Sequence, residues 1–150
     1  MAVFQSRLLL VLSAIPLVAK GMTVQLSAEK IMFTVQVLDA RSGKPVPSNH
    51  VLLFTGESPE RAHTRAIEVT TDASGMASFS VDLEKNKFSQ VFVDGHSRCL
   101  KDPNRESLSL RQVHTQGLVL NQCSKQSSQA KPDLLKVYVR PETFWERMAH

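Results

Sequence analysis

Apolar and polar residues alternate in register through the stretch from Phe33 to Val81, and the rest of the chain is built around it. Phe33, Val35 and Val37 alternate with Thr34, Gln36 and Leu38, which puts the first three on one face of a strand. Asp39 to Gly43 breaks the pattern, and Pro45 and Pro47 bracket a connection because neither donates to a ladder. Val51–Phe54 is the second strand, and Ile67 and Val69 lead the third. Asp72-Ala-Ser-Gly75 is a turn, after which Ala77, Phe79 and Val81 share one face of a fourth strand. Val91, Phe92 and Val93 form a short buried strand ending at Asp94-Gly95. Short alternating strands punctuated by Gly, Pro and Asp predict an all-β, antiparallel sandwich.

Beyond His96 the pattern changes. Leu108 and Leu110 alternate like a short strand, Arg111–Gln116 makes a helical turn stopped by Gly117, and Leu118–Leu120 is another short strand. Residues 124–133 are polar and low in complexity, as in a loop. From Leu134 to Arg140 the alternation resumes, with Leu135, Val137 and Val139 facing one way, as a closing strand would. Pro141 stops it and suits the start of a helical turn, on which Phe144, Trp145 and Met148 share one face. The predicted core is Phe33, Val35, Val37, Leu53, Phe79, Val81, Val91, Val93, Val137 and Val139. The C-terminal aromatics are expected to dock over an open end of the sandwich. The functional alternative makes Phe144, Trp145 and Met148 a binding patch for a glycan, a lipid surface or a protein partner.

Residues 1–21 read as a secretory signal peptide: Arg7, an apolar run from Leu8 to Val18, and small residues at Ala19 and Gly21, with cleavage before Met22. The run is short of the roughly 20 residues a membrane span needs, so no stable span remains after cleavage. The expected location is secreted or periplasmic. The domain boundaries follow: 1–21 signal, then 22–150 as a single domain with a disulfide-tied extension at about 96–124. With 150 residues there is room for one cored domain, not two.

Charge narrows the function classes. The formal charge of +4 falls to +2 once Arg7 and Lys20 are removed, and the remaining Lys and Arg are scattered. Nucleic acid is therefore not an expected partner. Cys99 and Cys123, the only cysteines, form a disulfide in an oxidising compartment. The rival reading pairs one of them with His96 or His114 as a nucleophile, which requires an adjacent base and a lowered thiol pKa. Two Cys with scattered His lack zinc-site spacing, and no phosphate loop, nucleophile elbow or repeat is present, so no metal or cofactor is expected. His63 and Arg65 beside Glu57 and Glu60 form a polar loop read as solvated surface.

Residues 31–95 resemble the carboxypeptidase regulatory-like domains, the transthyretin-like branch of the immunoglobulin-like sandwiches. The resemblance rests on VLDARSGKPVP followed by TTDASGMASFSV, which match a first strand ending V-x-D, a Gly-x-Pro turn and a T-D-x-x-G-x-a-x-F strand. It implies a sandwich that supports, connects or binds and is not an enzyme. FTVQVLDARSGKPVP is also similar to the opening strand of transthyretin-like hydrolases of urate-pathway intermediates. That family has a catalytic His where Gln36 stands and ends in Tyr-Arg-Gly-Ser, against Tyr138-Val139-Arg140-Pro141 here. Gln36 cannot serve as an imidazole acid or base. The expected function is thus a non-enzymatic binding or structural module for an unknown protein, glycan or surface ligand.

Overall fold

A computed structural model describes residues 29–62, 65–100 and 107–148; the predicted signal peptide and His63 lie outside them. Nine strands form the framework. They are β1 (Lys30–Asp39), β2 (His50–Gly56), β3 (Arg65–Thr70), β4 (Met76–Asp82), β5 (Phe88–Val93), β6 (His96–Arg98), β7 (Leu108–Ser109), β8 (Leu118–Leu120) and β9 (Leu134–Pro141). Helix α1 (Leu110–Gln116) lies between β7 and β8, and α2 (Phe144–Met148) follows β9.

The strands join into one nearly closed sheet in the order β3-β2-β5-β6-β9-β1-β4, with β7 added to β5 and β8 to β9. Strand β1 organises it. Along one edge it pairs antiparallel with β4, setting Phe33 opposite Phe79 and Val35 opposite Ala77. Along the other it pairs with β9, setting Val37 opposite Val137. Strand β6 joins β5 to β9, so the two halves of the sheet face each other across one interior.

Alternation fills that interior. Ile31, Phe33, Val35 and Val37 of β1 meet Ala77, Phe79 and Val81 of β4, Val51 and Leu53 of β2, Val91 and Val93 of β5, and Leu135, Val137 and Val139 of β9. All ten residues of the predicted core are buried there. The Phe33 and Phe79 rings stack at 5.9 Å between centroids. Each such side chain contributes about 1.5–3 kcal/mol on burial. Leu110 and Val113 bring α1 into the same core. The helix is capped by the Ser109 hydroxyl, which accepts from the Gln112 N–H, and ends at Gly117 with φ 73°. A Cβ on Gly117 would lie 1.9 Å from the Lys131 carbonyl oxygen, so glycine is required there on both grounds.

Three expectations change. The sheet is mixed, because β1 and β8 both run parallel to β9. A period of two tells which face a residue takes and carries no strand direction. The β5 strand starts at Phe88, three residues earlier than predicted. Leu110 opens the helix instead of continuing a strand, its backbone N–H going to Lys87 O.

A second, smaller cluster sits on the outer face of β1 and β9. Leu38, Tyr138 and Cys99 are buried together, with Ala40 and Val119 against them. Cys99 and Cys123 are joined by a disulfide, with their α-carbons 5.0 Å apart, inside the limit of about 7 Å for bridging. The predicted disulfide is therefore present; it ties the segment after β8 over this cluster and leaves no free thiol for the nucleophilic alternative.

Candidate functional site

The most unusual surface lies at the end of β9. The chain leaves the sheet after Pro141, the last residue of β9, not at Arg140 as the sequence suggests; the Glu142 N–H donates to Gly95 O at 3.2 Å, and Phe144–Met148 then form α2. None of the five is buried. Phe144, Trp145 and Met148 are 62%, 78% and 69% exposed, the largest concentration of exposed apolar side chains among the described residues. The predicted docking of this tail over the sandwich does not occur. The reason is that its anchoring is polar, and the polar anchor turns the apolar residues outward.

That anchor is a compact set of hydrogen bonds. The Arg140 guanidinium holds both Glu146 carboxylate oxygens, at 2.8 and 2.5 Å. The Thr143 N–H and hydroxyl both donate to Glu146 Oε2, and the Glu146 N–H donates back to Thr143 Oγ1. Thr143-Phe-Trp-Glu146 is therefore a capping box, closed reciprocally between side chains and orphan backbone donors. The Arg140 ion pair, helped by the Thr143 donors, holds the Glu146 carboxyl far below the usual carboxylate range. The same pairing raises the Arg140 pKa. Charge-assisted, forked contacts of this kind fix orientation as well as position.

Orientation follows from helix geometry. Glu146 faces the sheet, and Phe144 and Met148, two residues to either side of it, project about 160° round the helix axis from it. Trp145 lies on one flank and Arg147 on the other. The Phe144 and Trp145 rings meet edge to face at 5.6 Å. The result is an apolar ridge held away from the body of the protein.

Beside the ridge is an open groove of about 730 Å³, lined by Asp39, Ala40 and Arg41 at the end of β1, by Cys123 to Gln126, and by Arg140 and Pro141. Arg140 thus borders the groove and clamps the ridge. The Asp39 carboxylate is engaged by the Ser42 hydroxyl at 2.6 Å and the Ser42 N–H at 2.7 Å, and the hydroxyl is the larger cause of its lowered pKa. Arg41 and Lys125 are exposed and make no ion pair among the described residues.

The other sequence candidates are dispersed. Gln36 sits mid-strand between Met76 of β4 and Lys136 of β9. His114 Nδ1 lies 2.6 Å from Asp133 Oδ1, tying α1 to the turn before β9. His96 Nδ1 is 2.7 Å from Asp94 O, and His50 Nδ1 is 2.6 Å from Glu68 Oε1. Among the described residues no three His, Cys, Asp or Glu gather where a metal could be held. Sequence reasoning singled out Phe144, Trp145 and Met148 but missed the residues that present them. The Thr-x-x-Glu spacing at 143–146 was the available signal. No helix among the described residues is long and apolar enough to cross a membrane, and the disulfide fits an extracellular or periplasmic location. No protein-family model matches the chain, and no curated protein matches it.

Proposed function

We propose that the chain is an exported β-sandwich module of the immunoglobulin-like, transthyretin-like kind, which works by binding and not by catalysis. One observation carries the binding role. No residue of helix α2 is buried, yet five hydrogen bonds, two of them the charge-assisted fork from Arg140 to Glu146, hold it in place with Phe144, Trp145 and Met148 facing solvent. Burial does not explain that arrangement, and contact with another surface does. Exposed apolar patches of a few hundred Å² mark interaction sites. The resemblance of residues 31–95 is supported by how its two motifs meet. The Val37 N–H of the V-L-D segment donates to the Gly75 carbonyl of the T-D-x-x-G turn at 2.8 Å, and Asp72 caps that turn through Ser74 and Met76.

The test is to immobilise the exported chain and challenge it with protein, polysaccharide and lipid fractions of the native cell envelope. The wild type should retain one class. A Phe144→Ala/Trp145→Ala variant with an unchanged melting curve should lose it. Retention that survives the double substitution would contradict the assignment of the surface.

A further inference from the structure

We propose that the Cys99–Cys123 disulfide is a thiol-exchange site, opened from the groove at the Cys123 sulfur by a dithiol reductant. The two ends of the bond have unlike surroundings. Cys99 is 1% exposed, packed with Leu38 and Tyr138, and its N–H donates to Tyr138 O at 2.9 Å. Cys123 is exposed and lines the open groove of about 730 Å³. Exchange requires a thiolate to reach one sulfur, so access decides which end reacts. The cluster closes the path to Cys99, and the groove opens one to Cys123. The groove falls within the roughly 300–1,000 Å³ of sites that take a small organic molecule, so a short thiol or a dithiol loop fits. Charge suits an anionic attacker. Arg41 and Lys125 make no ion pair among the described residues, Arg140 is held by Glu146, and the groove's one carboxylate, Asp39, is engaged by Ser42.

The exchange runs as two displacements. The reductant's thiolate bonds to Cys123 as the Cys123–Cys99 bond breaks, and the bonding pair goes to Cys99, which takes up a proton from water. The reductant's second thiol loses its proton, attacks its partner sulfur in the mixed disulfide and expels Cys123. The reductant is oxidised to a disulfide, and the chain gains two thiols. A monothiol stops at the mixed disulfide on Cys123, with Cys99 left as a thiol. Opening the bond frees a wall of the groove, where Ser124, Lys125 and Gln126 stand. They are then held only by local contacts, such as the Gln122 N–H to Cys99 O, Asn121 Nδ2 to Gln126 O and the Ser124 N–H to Asn121 Oδ1. The ladders of β1 with β4 and β9 involve none of these residues. Reduction therefore reshapes the groove beside the α2 ridge and leaves the sheet intact.

Glutathione added to the purified, folded protein tests this, with the adduct trapped by acid and mapped by peptide mass spectrometry. The adduct is expected on Cys123, with Cys99 recovered as the free thiol. With dithiothreitol in native buffer, the rate of reduction should rise in proportion to reductant concentration. Arg41→Glu/Lys125→Glu, at an unchanged melting temperature, should slow the glutathione reaction at least about threefold, because the groove then repels an anionic thiol. Three results would overturn the inference. An adduct on Cys99 would show attack at the sealed end. A rate independent of dithiothreitol concentration would show that the bond opens only on unfolding. A glutathione rate untouched by the charge reversal would show entry by a route other than the groove.

Discussion

The interior and the α2 ridge both consist of large apolar side chains, and they are held by opposite means. In the interior, Phe33, Phe79 and their neighbours are ordered by burial, and hydrogen bonding is left to the strand ladders. On the ridge, Phe144, Trp145 and Met148 are held by hydrogen bonds made beneath them and stay largely exposed. The same residue types therefore signal stability in one place and contact in the other. What separates them is the polar residue alongside. Thr34 and Ser78 point outward beside the core pair Phe33 and Phe79, whereas Glu146 points inward and drives its neighbours out.

The largest expected effect tests the interior. Phe79→Ala removes one of two stacked rings from a fully buried site and should cost about 3–5 kcal/mol in urea unfolding. That is a large share of the stability of an ordinary domain. A loss below about 1 kcal/mol would place Phe79 outside the cooperative core.

Next comes the outer cluster of Leu38, Cys99 and Tyr138, which combines a little burial with a covalent tie. Replacing both cysteines by serine should cost about 2–4 kcal/mol. Hydrogen exchange should rise near residues 118–124 and stay low in β1 and β4, because the ladders there do not depend on the bond. A uniform rise would show that the two clusters form one unit.

Gly117→Ala should follow, at about 1–3 kcal/mol, since the new Cβ meets the Lys131 backbone at a left-handed φ. Thermal melting reads it directly.

The interior was legible in the sequence because alternation specifies burial: Phe33, Val35, Val37, Phe79 and Val81 could be placed by period alone. Direction was not legible. The β1–β9 pairing is parallel, and side-chain alternation is the same in either direction. Alternation with Val137 and Val139 puts Tyr138 on the outward face of β9, where it lies, but it is buried because the disulfide-tied segment covers it. No local pattern encodes that long-range cover. The ridge residues were visible as an apolar group, but their exposure depends on Arg140, which reaches Glu146 across six positions, and on the capping box.

Acid should separate the ridge from the core. The Glu146 pKa is depressed in the folded chain, so the clamp's contribution is complete above the unfolded carboxylate range, near 4.3. It is lost only as pH falls through the much lower folded value. Carbon-detected titration of Glu146 should therefore show it still ionised at pH 4, inside the range where the carboxyl of an unfolded chain takes up its proton. Protonation of Glu146 within that ordinary range would mean that the clamp is open in solution.

The smallest expected effect is also the most telling contrast with Phe79. Trp145→Ala should change stability by no more than about 0.5 kcal/mol, because the side chain is solvent-facing.

Trp145 is the only tryptophan in the chain, so its fluorescence reports the ridge alone. The most direct test is acrylamide quenching of the dilute, purified protein. The account predicts ready quenching with an emission maximum typical of hydrated indole, in a protein whose β-structure is intact. A blue-shifted, poorly quenched Trp145 would contradict it, since the tail would then be packed on the sheet and no ridge would be presented to a partner.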